Sequence, residues 1–248
     1  AEDGEVGTMT PKPERLTDAV TLYEGRCEDV LQTIAKGSVD LVADPPYGIR
    51  EAAGKNKSRS RLAVARDYGI SAWDNQTAGD AVSMAVGVSR FAIVFGGNYY
   101  SLPPSSCWLV WDKMNGATDF ADCELAWTNL PKAVRQIRHR WHGMIRDGNE
   151  ERMHPTQKPV AVMRWCIRQL PDSNRTILDP FSGSGTTAIA AMQEGRNCIL
   201  IEKDPHYCEI IRRRVREADG AAPGTLFREV ARRESLFADE PEPEVATK

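Results

Sequence analysis

Several features that would assign this chain to a common class are missing. It has no run of about 18 apolar residues, which argues against a membrane span, and its acidic start lacks the apolar stretch of a signal peptide. The six cysteines include no CxxC pair, so we expect reduced thiols in a cytoplasmic protein, with neither a metal site nor a disulfide framework. No internal repeat occurs. The 248 residues, 41% of them hydrophobic, are enough for one large α/β domain.

The net charge of −3 hides an uneven distribution of charge along the chain. Both ends are acidic, and without residues 1–14 and 234–248 the chain has 30 basic and 26 acidic side chains. The ends are polar and show no periodicity, which predicts disordered tails over 1–17 and 221–248. A single domain is therefore expected over 18–220.

Basic side chains cluster in two parts of this domain. One is a loop at 48–76, which has six Lys and Arg between Arg50 and Arg66, and the other is a segment at 135–153 with arginines around Trp141. Such clusters occur in solvated loops, and beside a base-sized pocket they indicate phosphate contacts. The residues predicted to contact DNA are Arg50, Lys55, Lys57, Arg59, Arg61, Arg138, Arg140 and Trp141.

Apolar runs alternate with helical patterns along the chain. This order predicts an α/β fold with a doubly wound, mostly parallel sheet. The predicted strands are 20–23, 39–43, 91–95, 107–111, 124–128, 176–179 and 197–201, with a further one at 133–139. The predicted helices are 28–35, 80–89, 160–169, 186–194 and 205–218.

Two polar motifs follow predicted strands, where open α/β sheets bind ligands. The first is Asp44-Pro45-Pro46-Tyr47, after the strand at 39–43. The second runs from Asp179 through Pro-Phe-Ser-Gly-Ser to Gly185, and leads into a helix. The order of a strand, a glycine loop and a helix indicates a nucleotide-like cofactor.

The glycine loop fits the dinucleotide pattern GxGxxG/A, and Glu202 stands at the end of the next predicted strand, where an acid that binds ribose belongs. No Lys-Ser/Thr pair follows the loop, which argues against a P-loop. The pattern by itself leaves NAD and S-adenosylmethionine (SAM) open. Asp179 favours SAM, because a carboxylate at the strand tip suits a sulfonium and an ammonium group but repels a pyrophosphate.

The tetrapeptide at Asp44 resembles the signature of the DNA amino-methyltransferases, (Asp/Asn/Ser)-Pro-Pro-(Tyr/Phe/Trp). The resemblance implies that Asp44 and the Pro45 carbonyl each accept an N–H of an exocyclic amine, which aims the nitrogen lone pair at the methyl group of SAM. Pro46 helps to fix this backbone, so the acceptors are preorganised. Tyr47 stacks on a base that has left the duplex. No metal ion or covalent nucleophile is implied.

A third motif, His154-Pro-Thr-Gln-Lys-Pro159, resembles a segment that in this family helps to bind the methionine end of SAM. Because the tetrapeptide precedes the glycine loop, the chain resembles the β-group, which is circularly permuted. The resemblance implies a seven-stranded sheet with the strand at 20–23 beside that at 197–201, and a cytoplasmic bacterial or phage enzyme. It also implies double-stranded DNA as partner and, because relatives are often dimers, a homodimer. The residues expected to bind SAM are Cys27, Thr156, Lys158, Asp179, Phe181, Ser182, Gly183, Ser184, Gly185, Thr186, Glu202 and Lys203.

The chain departs from the family pattern in two places. Arg26 replaces an acid that in many relatives precedes the cysteine, so the adenine contact is expected from the backbone of Cys27. The separate recognition region of larger relatives is missing, which assigns specificity to the two basic segments. Asp at the first tetrapeptide position accompanies N6-adenine methylation more often than N4-cytosine methylation, and adenine is therefore predicted. An N4-cytosine, RNA or protein methyltransferase, an NAD-dependent oxidoreductase and a non-catalytic nucleic-acid-binding module remain as alternatives.

Overall fold

Strands and helices alternate along most of the chain. The computed structural model describes residues 10–48, 78–116, 121–142, 145–147, 150, 153, 157–171 and 174–220. The strands are β1 (Pro13–Arg15), β2 (Val20–Glu24), β3 (Val39–Ala43), β4 (Ser89–Phe95), β5 (Trp108–Asp112), β6 (Cys123–Thr128), β7 (Arg135–Arg138), β8 (Trp141–His142), β9 (Ile145–Arg146), β10 (Thr176–Asp179) and β11 (Cys198–Glu202). The helices are α1 (Cys27–Leu31), α2 (Gly79–Val88), α3 (Val160–Gln169), α4 (Thr186–Gln193) and α5 (Pro205–Gly220), and a short 3₁₀ helix spans Gly97–Tyr99.

The main sheet has nine strands in the order β1-β2-β11-β10-β3-β4-β6-β5-β7. From β2 to β4 all neighbours are parallel, whereas β6 runs antiparallel to both β4 and β5. The predicted fold class, a doubly wound and mostly parallel α/β sheet, is therefore confirmed. The sheet has two strands more than the seven expected: β7, which lies within the further strand predicted at 133–139, and β1, which was not predicted. β8 and β9 form a separate hairpin.

The predicted pairing of the first long strand with the last one is also confirmed. β2 runs parallel to β11, with Val20 opposite Cys198 and Glu24 opposite Glu202. This pairing joins the beginning of the domain to its end, as the permuted order of the motifs requires. α1 is shorter than the predicted helix at 28–35, because the N–H groups of Thr33 and Ile34 bond to carbonyls only three residues back and close the helix in tight turns.

β1 corrects the prediction that residues 1–17 form a disordered tail. It pairs antiparallel with β2, and the guanidinium of Arg212 in α5 binds Glu14 at 2.7 Å and Glu24 at 2.8 Å. A three-residue edge strand is too short to produce a periodic pattern, and its main stabilising contacts are hydrogen bonds and ion pairs. Composition therefore misassigned residues 10–17, while the rest of the two predicted tails, 1–9 and 221–248, lies outside the described residues.

Apolar side chains cover both faces of the sheet. On one face, α3, α4 and α5 cover the sheet, and this core contains Val162 and Ile211. On the other face, α1 and α2 cover the sheet, and this core contains Leu31 and Val82. All five residues of β3 are buried, as expected for a central parallel strand. No helix in the described part of the chain is both long and apolar enough to cross a membrane.

The carboxyl ends of the parallel strands position the functional residues. Asp44 follows β3, Gly96 follows β4, Asp179 ends β10 and Glu202 ends β11. Because β5 is antiparallel to β6 and therefore runs in the direction of β4, its end at Asp112 lies at the same edge. This edge is where ligands bind in open α/β sheets.

Candidate active site

A cavity of about 670 Å³ lies at the carboxyl edge of the sheet, between the loops that follow β2, β3, β10 and β11. Its size is typical of a site for a small ligand or cofactor. Residues of the tetrapeptide and of the glycine loop line the same cavity, although about 135 positions separate the two motifs in the sequence. The predicted residues that line it are Cys27, Asp44, Pro46, Lys158, Asp179, Phe181, Ser182, Gly183, Ser184, Thr186, Glu202 and Lys203.

The glycine loop is held in place by the strand tip beneath it. Asp179 is buried, its Oδ1 accepts the N–H of Phe181 at 3.0 Å, and its Oδ2 accepts the hydroxyl of Thr187. Gly185 has a left-handed φ of +77°, and a Cβ there would approach Ile211 of α5 to 2.9 Å. Only glycine fits both the backbone conformation and the space, so this residue lets the start of α4 pack closely against α5.

Glu202 binds the glycine loop directly. Its Oε2 accepts the N–H of Gly183 at 2.8 Å, and its Oε1 accepts the N–H of Asp204 at 2.9 Å. Each carboxylate oxygen retains lone-pair capacity for one more donor. Burial raises the pKa of Glu202 above its ordinary value, although these backbone bonds oppose the shift. The geometry suits two hydroxyl groups of a ribose.

Burial also raises the pKa of Asp179, to about 7, against the lowering effect of the Thr187 and Phe181 hydrogen bonds. An acid with this pKa ionises fully at neutral pH only when a cation is near it. The strand tip is therefore suited to a positively charged ligand group, as the sequence predicts.

The tetrapeptide adopts a packed turn behind β3. The hydroxyl of Tyr47 donates to Asp44 Oδ1 at 2.6 Å, and the hydroxyl of Tyr100 donates to the Pro46 carbonyl at 2.6 Å. The ring of Tyr99 stacks on that of Tyr47, with ring centres 5.1 Å apart. These contacts fix the turn from outside the motif, and no sequence pattern indicated Tyr99 or Tyr100, apart from their place after the strand predicted at 91–95.

Gly96 has a left-handed φ of +62°, and a Cβ on it would overlap the ring of Tyr47. We expect Gly96→Ala to lower the free energy of unfolding by about 1–3 kcal/mol, because the ring must move and the backbone is strained. Gly87→Ala is the matched control: Gly87 lies in α2 with open space around its Cα, so alanine should be neutral or stabilise slightly. Urea unfolding of both variants measures the difference, and equal midpoints would contradict it.

Lys158 occupies a different position from that expected of a ligand for the SAM carboxylate. Its Nζ lies 2.6 Å from Asp44 Oδ2 and 3.1 Å from Glu124 Oε2, and the side chain of Lys158 is almost fully buried. Glu124, near the start of β6, also pairs with Lys113 Nζ at 2.5 Å. We call Asp44, Lys158, Glu124 and Lys113 the buried ion chain. Sequence reasoning missed Glu124, whose only signal was an acid at the start of a predicted strand.

Opposing effects determine the protonation of the buried ion chain. Burial raises the pKa of Asp44, and the nearby Lys158 ammonium opposes the shift. Burial acts to lower the pKa of Lys158, but Asp44 and Glu124 outweigh it and raise that pKa. For Glu124 burial raises the pKa, and the two lysines overcome this and lower it. Lys158 is therefore a permanent cation beside the Asp44 carboxylate.

The segment before α3 is anchored to the glycine loop. Gln157 donates to Glu150 at 2.8 Å, and its Oε1 accepts the Ser184 hydroxyl at 3.2 Å. Arg214 of α5 donates to the Ser184 carbonyl at 2.7 Å. Thr156, predicted to contact SAM, lies outside the described residues, as does His154.

The predicted DNA contacts are only partly within the described residues. Arg138 ends β7 at the carboxyl edge and pairs with Asp112 at 3.3 Å, and Arg140 follows it. Trp141 is half-buried, and its indole N–H donates to the Gln157 carbonyl at 3.1 Å, so it supports the segment before α3. The remaining five predicted contacts, Arg50, Lys55, Lys57, Arg59 and Arg61, fall outside the described residues.

The remaining predicted residues take structural places around the cavity. Cys27 begins α1 at the cavity wall, and burial raises the pKa of its thiol to about 12, so the thiol is neutral. Arg26 is paired with Glu28 at 3.4 Å. Pro45, Tyr47 and Gly185 are not among the residues that line the cavity. The described residues contain no cluster of three His, Cys, Asp or Glu side chains able to hold a metal ion.

The glycine loop, Glu202 and the Asp-Pro-Pro-Tyr turn lie at one cavity, which is the arrangement expected from the resemblance to the DNA amino-methyltransferases. Residues 102–213 match the family model described as DNA methylase. The chain is 26% identical to the type II methyltransferase M.HinfI of Haemophilus influenzae, over 79% of this chain and 68% of that protein. Both matches support the N6/N4 family of DNA amino-methyltransferases.

Solved structures share the fold. The crystal structure of the M1.HpyAVI–SAM complex matches with a TM-score of 0.51 at 19% identity, covering 79% of this chain and 99% of that one. The PvuII DNA methyltransferase, described as cytosine-N4-specific, matches with a TM-score of 0.51 at 15% identity, covering 82% of this chain and 89% of that one. At these identities the likeness concerns the fold alone.

Proposed function

We propose that this protein transfers the methyl group of SAM to the exocyclic N6 of an adenine flipped out of double-stranded DNA. The observation that carries the proposal is that the Asp44 turn shares one cavity with the glycine loop and Glu202. A site for an amine acceptor and a site for a nucleoside cofactor are thereby adjacent. A relative in sequence, M.HinfI, is a type II methyltransferase, which supports the same reaction class.

The donor set of the cavity fits SAM. Glu202 would accept the two ribose hydroxyls, and the ionised Asp179 would face the ammonium and sulfonium charges. The glycine loop lets the backbone approach the cofactor closely. When bound, SAM supplies a methyl group on a positively charged sulfur, which an amine lone pair can attack. An NAD-dependent reaction is less well supported, because Asp179 would repel a pyrophosphate.

Asp44 and the Pro45 carbonyl would accept the two N–H groups of the target amine. The lone pair of an exocyclic amine is delocalised into the ring, and two fixed acceptors favour the pyramidal form in which it points at the methyl group. The side chain of Asp44 is already oriented by Tyr47 and Lys158. Tyr47 would provide the aromatic surface for the flipped base, and Arg138, Arg140 and the basic loop at 48–76 would contact phosphates.

Methyl transfer to duplex DNA tests this proposal. Unmethylated duplex DNA is incubated with labelled SAM and digested to nucleosides, and we expect label in N6-methyladenine. Label in N4-methylcytosine would change the target base and leave the rest of the proposal standing, since the first tetrapeptide position only favours adenine. Methyl transfer to RNA or protein, with none to DNA under saturating SAM, would show that DNA is not the substrate.

The raised pKa of Asp179 predicts how SAM affinity depends on pH. A cation binds the ionised carboxylate, which in the free protein is lost as the pH falls through about 7. The dissociation constant of SAM should therefore rise by up to about tenfold per pH unit below that value. The folding stability of the free protein depends on pH in the opposite direction. The raised pKa of Asp179 stabilises the folded protein at low pH, and this stabilisation is lost as the pH rises towards 7.

Isothermal titration between about pH 5 and pH 7 measures this dependence, since the cofactor's own amino group titrates near 8. Proton release on binding, read from buffers of different ionisation enthalpy, gives the same result independently. Asp179→Asn should bind SAM weakly at every pH, with the slope largely removed. A slope in the variant equal to that of the wild type would assign the titration to another group, such as Glu202.

A further inference from the structure

The buried ion chain is unusual in its location. Two carboxylates and two ammonium groups from four separate parts of the chain meet beside the cavity, where Lys158 is buried and Glu124 Oε2 is shielded from solvent. Placing ions in a protein interior carries a large desolvation penalty, and apolar side chains of similar size are often equally stable. A role in orientation explains the chain better than a role in stability.

Lys158 is the member that connects the chain to the tetrapeptide. Its ammonium lies 2.6 Å from Asp44 Oδ2, 3.1 Å from Glu124 Oε2 and 3.3 Å from the hydroxyl of Tyr47. One ammonium, which has three N–H groups, thus lies close to three oxygen atoms. Glu124 in turn is held by Lys113. These contacts hold the Lys158 ammonium in one position, and the ammonium in turn restricts the orientation of the Asp44 carboxylate.

Asp44 consequently has an ordered donor on each oxygen. Tyr47 donates to Oδ1 and Lys158 donates to Oδ2. With each oxygen already bound to one donor, the carboxylate cannot rotate freely, and its remaining lone pairs point in fixed directions. An acceptor for a target amine needs this property.

We propose that Lys158, held by Glu124, is a positioning residue that keeps Asp44 ionised and oriented to accept the N–H of the target amine. This inference rests on the proposed function and names two residues that the sequence did not assign to the reacting end of the site. It replaces the expectation that Lys158 binds the carboxylate of SAM. Lys158 itself does not receive a proton, because it remains charged throughout.

The test compares Lys158→Met, Lys158→Arg and Glu124→Gln in the full-length protein, with Lys132→Met as matched control. Lys132 is a partly buried lysine that donates to the Gln169 carbonyl, away from the cavity. For each variant the SAM dissociation constant, the turnover at saturating SAM and DNA, and the pH profile of turnover are measured. Circular dichroism establishes that each variant is folded.

Lys158→Met should lower turnover at neutral pH by roughly 10- to 100-fold, the range expected when a reacting group is misplaced, while SAM affinity changes only a few-fold. Lys158→Arg should restore part of the turnover, and Lys132→Met should resemble the wild type. A rise in the SAM dissociation constant with turnover at saturation unchanged would identify Lys158 as a cofactor ligand and overturn the proposal.

The pH profiles separate positioning from a merely structural role. The ionisable groups around Asp44 are Lys158 before α3, Glu124 in β6 with Lys113 after β5, Asp179 in β10, and Tyr47 and Tyr100. Lys158 lowers the pKa of Asp44 and Glu124 raises it. The acid limb of turnover should therefore move to higher pH in Lys158→Met and to lower pH in Glu124→Gln. The proposal would be overturned if the acid limb stayed in place in both variants, or if it moved in the same direction in both.

Two further outcomes are decided by the same set of variants. If Lys158→Met does not fold, Glu124→Gln alone tests the proposal: a shift of its acid limb to lower pH supports it, and no shift or a shift to higher pH overturns it. If wild-type protein binds SAM but methylates no DNA, the proposed function fails before any variant is compared. The two failures are therefore distinguishable.

Discussion

Asp44→Ala is expected to lower methyl transfer by about 100- to 1000-fold, the loss typical of removing one preorganised polar contact to a transition state. Asp44 has one hydrogen-bond donor on each carboxylate oxygen before any substrate is present. Alanine removes the acceptor for the amine and leaves the nitrogen lone pair in the aromatic ring. SAM affinity should change only a few-fold, because the ribose and ammonium contacts are assigned to Glu202 and Asp179.

Folding should survive this substitution. Lys158 keeps Glu124 as its counterion, so Asp44→Ala leaves no buried charge unpaired. Asp18→Ala, which removes an exposed carboxylate paired with Arg15, is the control and should be fully active. Single-turnover transfer to duplex DNA and calorimetric SAM binding give the two readings. Turnover close to that of the wild type would exclude Asp44 as the amine acceptor.

Glu202→Ala is expected to weaken the binding of SAM. Hydrogen bonds to a charged group contribute roughly 1.5–3 kcal/mol each, so losing two ribose contacts should raise the SAM dissociation constant at least about 100-fold. Gly183 would also lose the acceptor for its N–H, which loosens the loop. At saturating SAM much of the turnover should return, because Asp44 and the buried ion chain are untouched.

Glu209→Ala is the matched control for this prediction. Glu209 is an exposed acid of α5 that pairs with Arg212, and its loss should leave SAM affinity unchanged. Calorimetry on both variants, with turnover measured over a wide range of SAM concentration, separates affinity from rate. Equal loss of SAM binding in Asp44→Ala and Glu202→Ala would contradict the division of roles between the two residues.

The sequence predicted the fold class and much of the cofactor side of the cavity. The helix predicted at 160–169 has those bounds in the structure, and β3, β10 and β11 lie where apolar runs indicated them. These features are encoded locally: a buried parallel strand is an apolar run, and glycine and proline restrict the backbone within a few residues. Glu202 was found for the same reason, since its spacing from the glycine loop follows from one helix and one strand.

The reacting end of the site was predicted less well. Lys158 stands in a motif that resembles a cofactor-binding segment, yet its ammonium binds Asp44, Glu124 and Tyr47, and 111 positions separate it from Tyr47. Tyr99, Tyr100 and Gly96 surround the tetrapeptide from the end of another strand. No local pattern encodes such contacts.

The amino-acid sequence alone determined the order of the motifs, and the family that these motifs resemble implied the pairing of β2 with β11 and the role proposed for the Asp44 turn. The motifs are readable because residue types and short spacings act through backbone geometry. The tertiary structure alone decided what each charged side chain faces. Four loops converge at the carboxyl edge of the sheet, and burial there leaves Lys158 the Asp44 and Glu124 carboxylates as its countercharges.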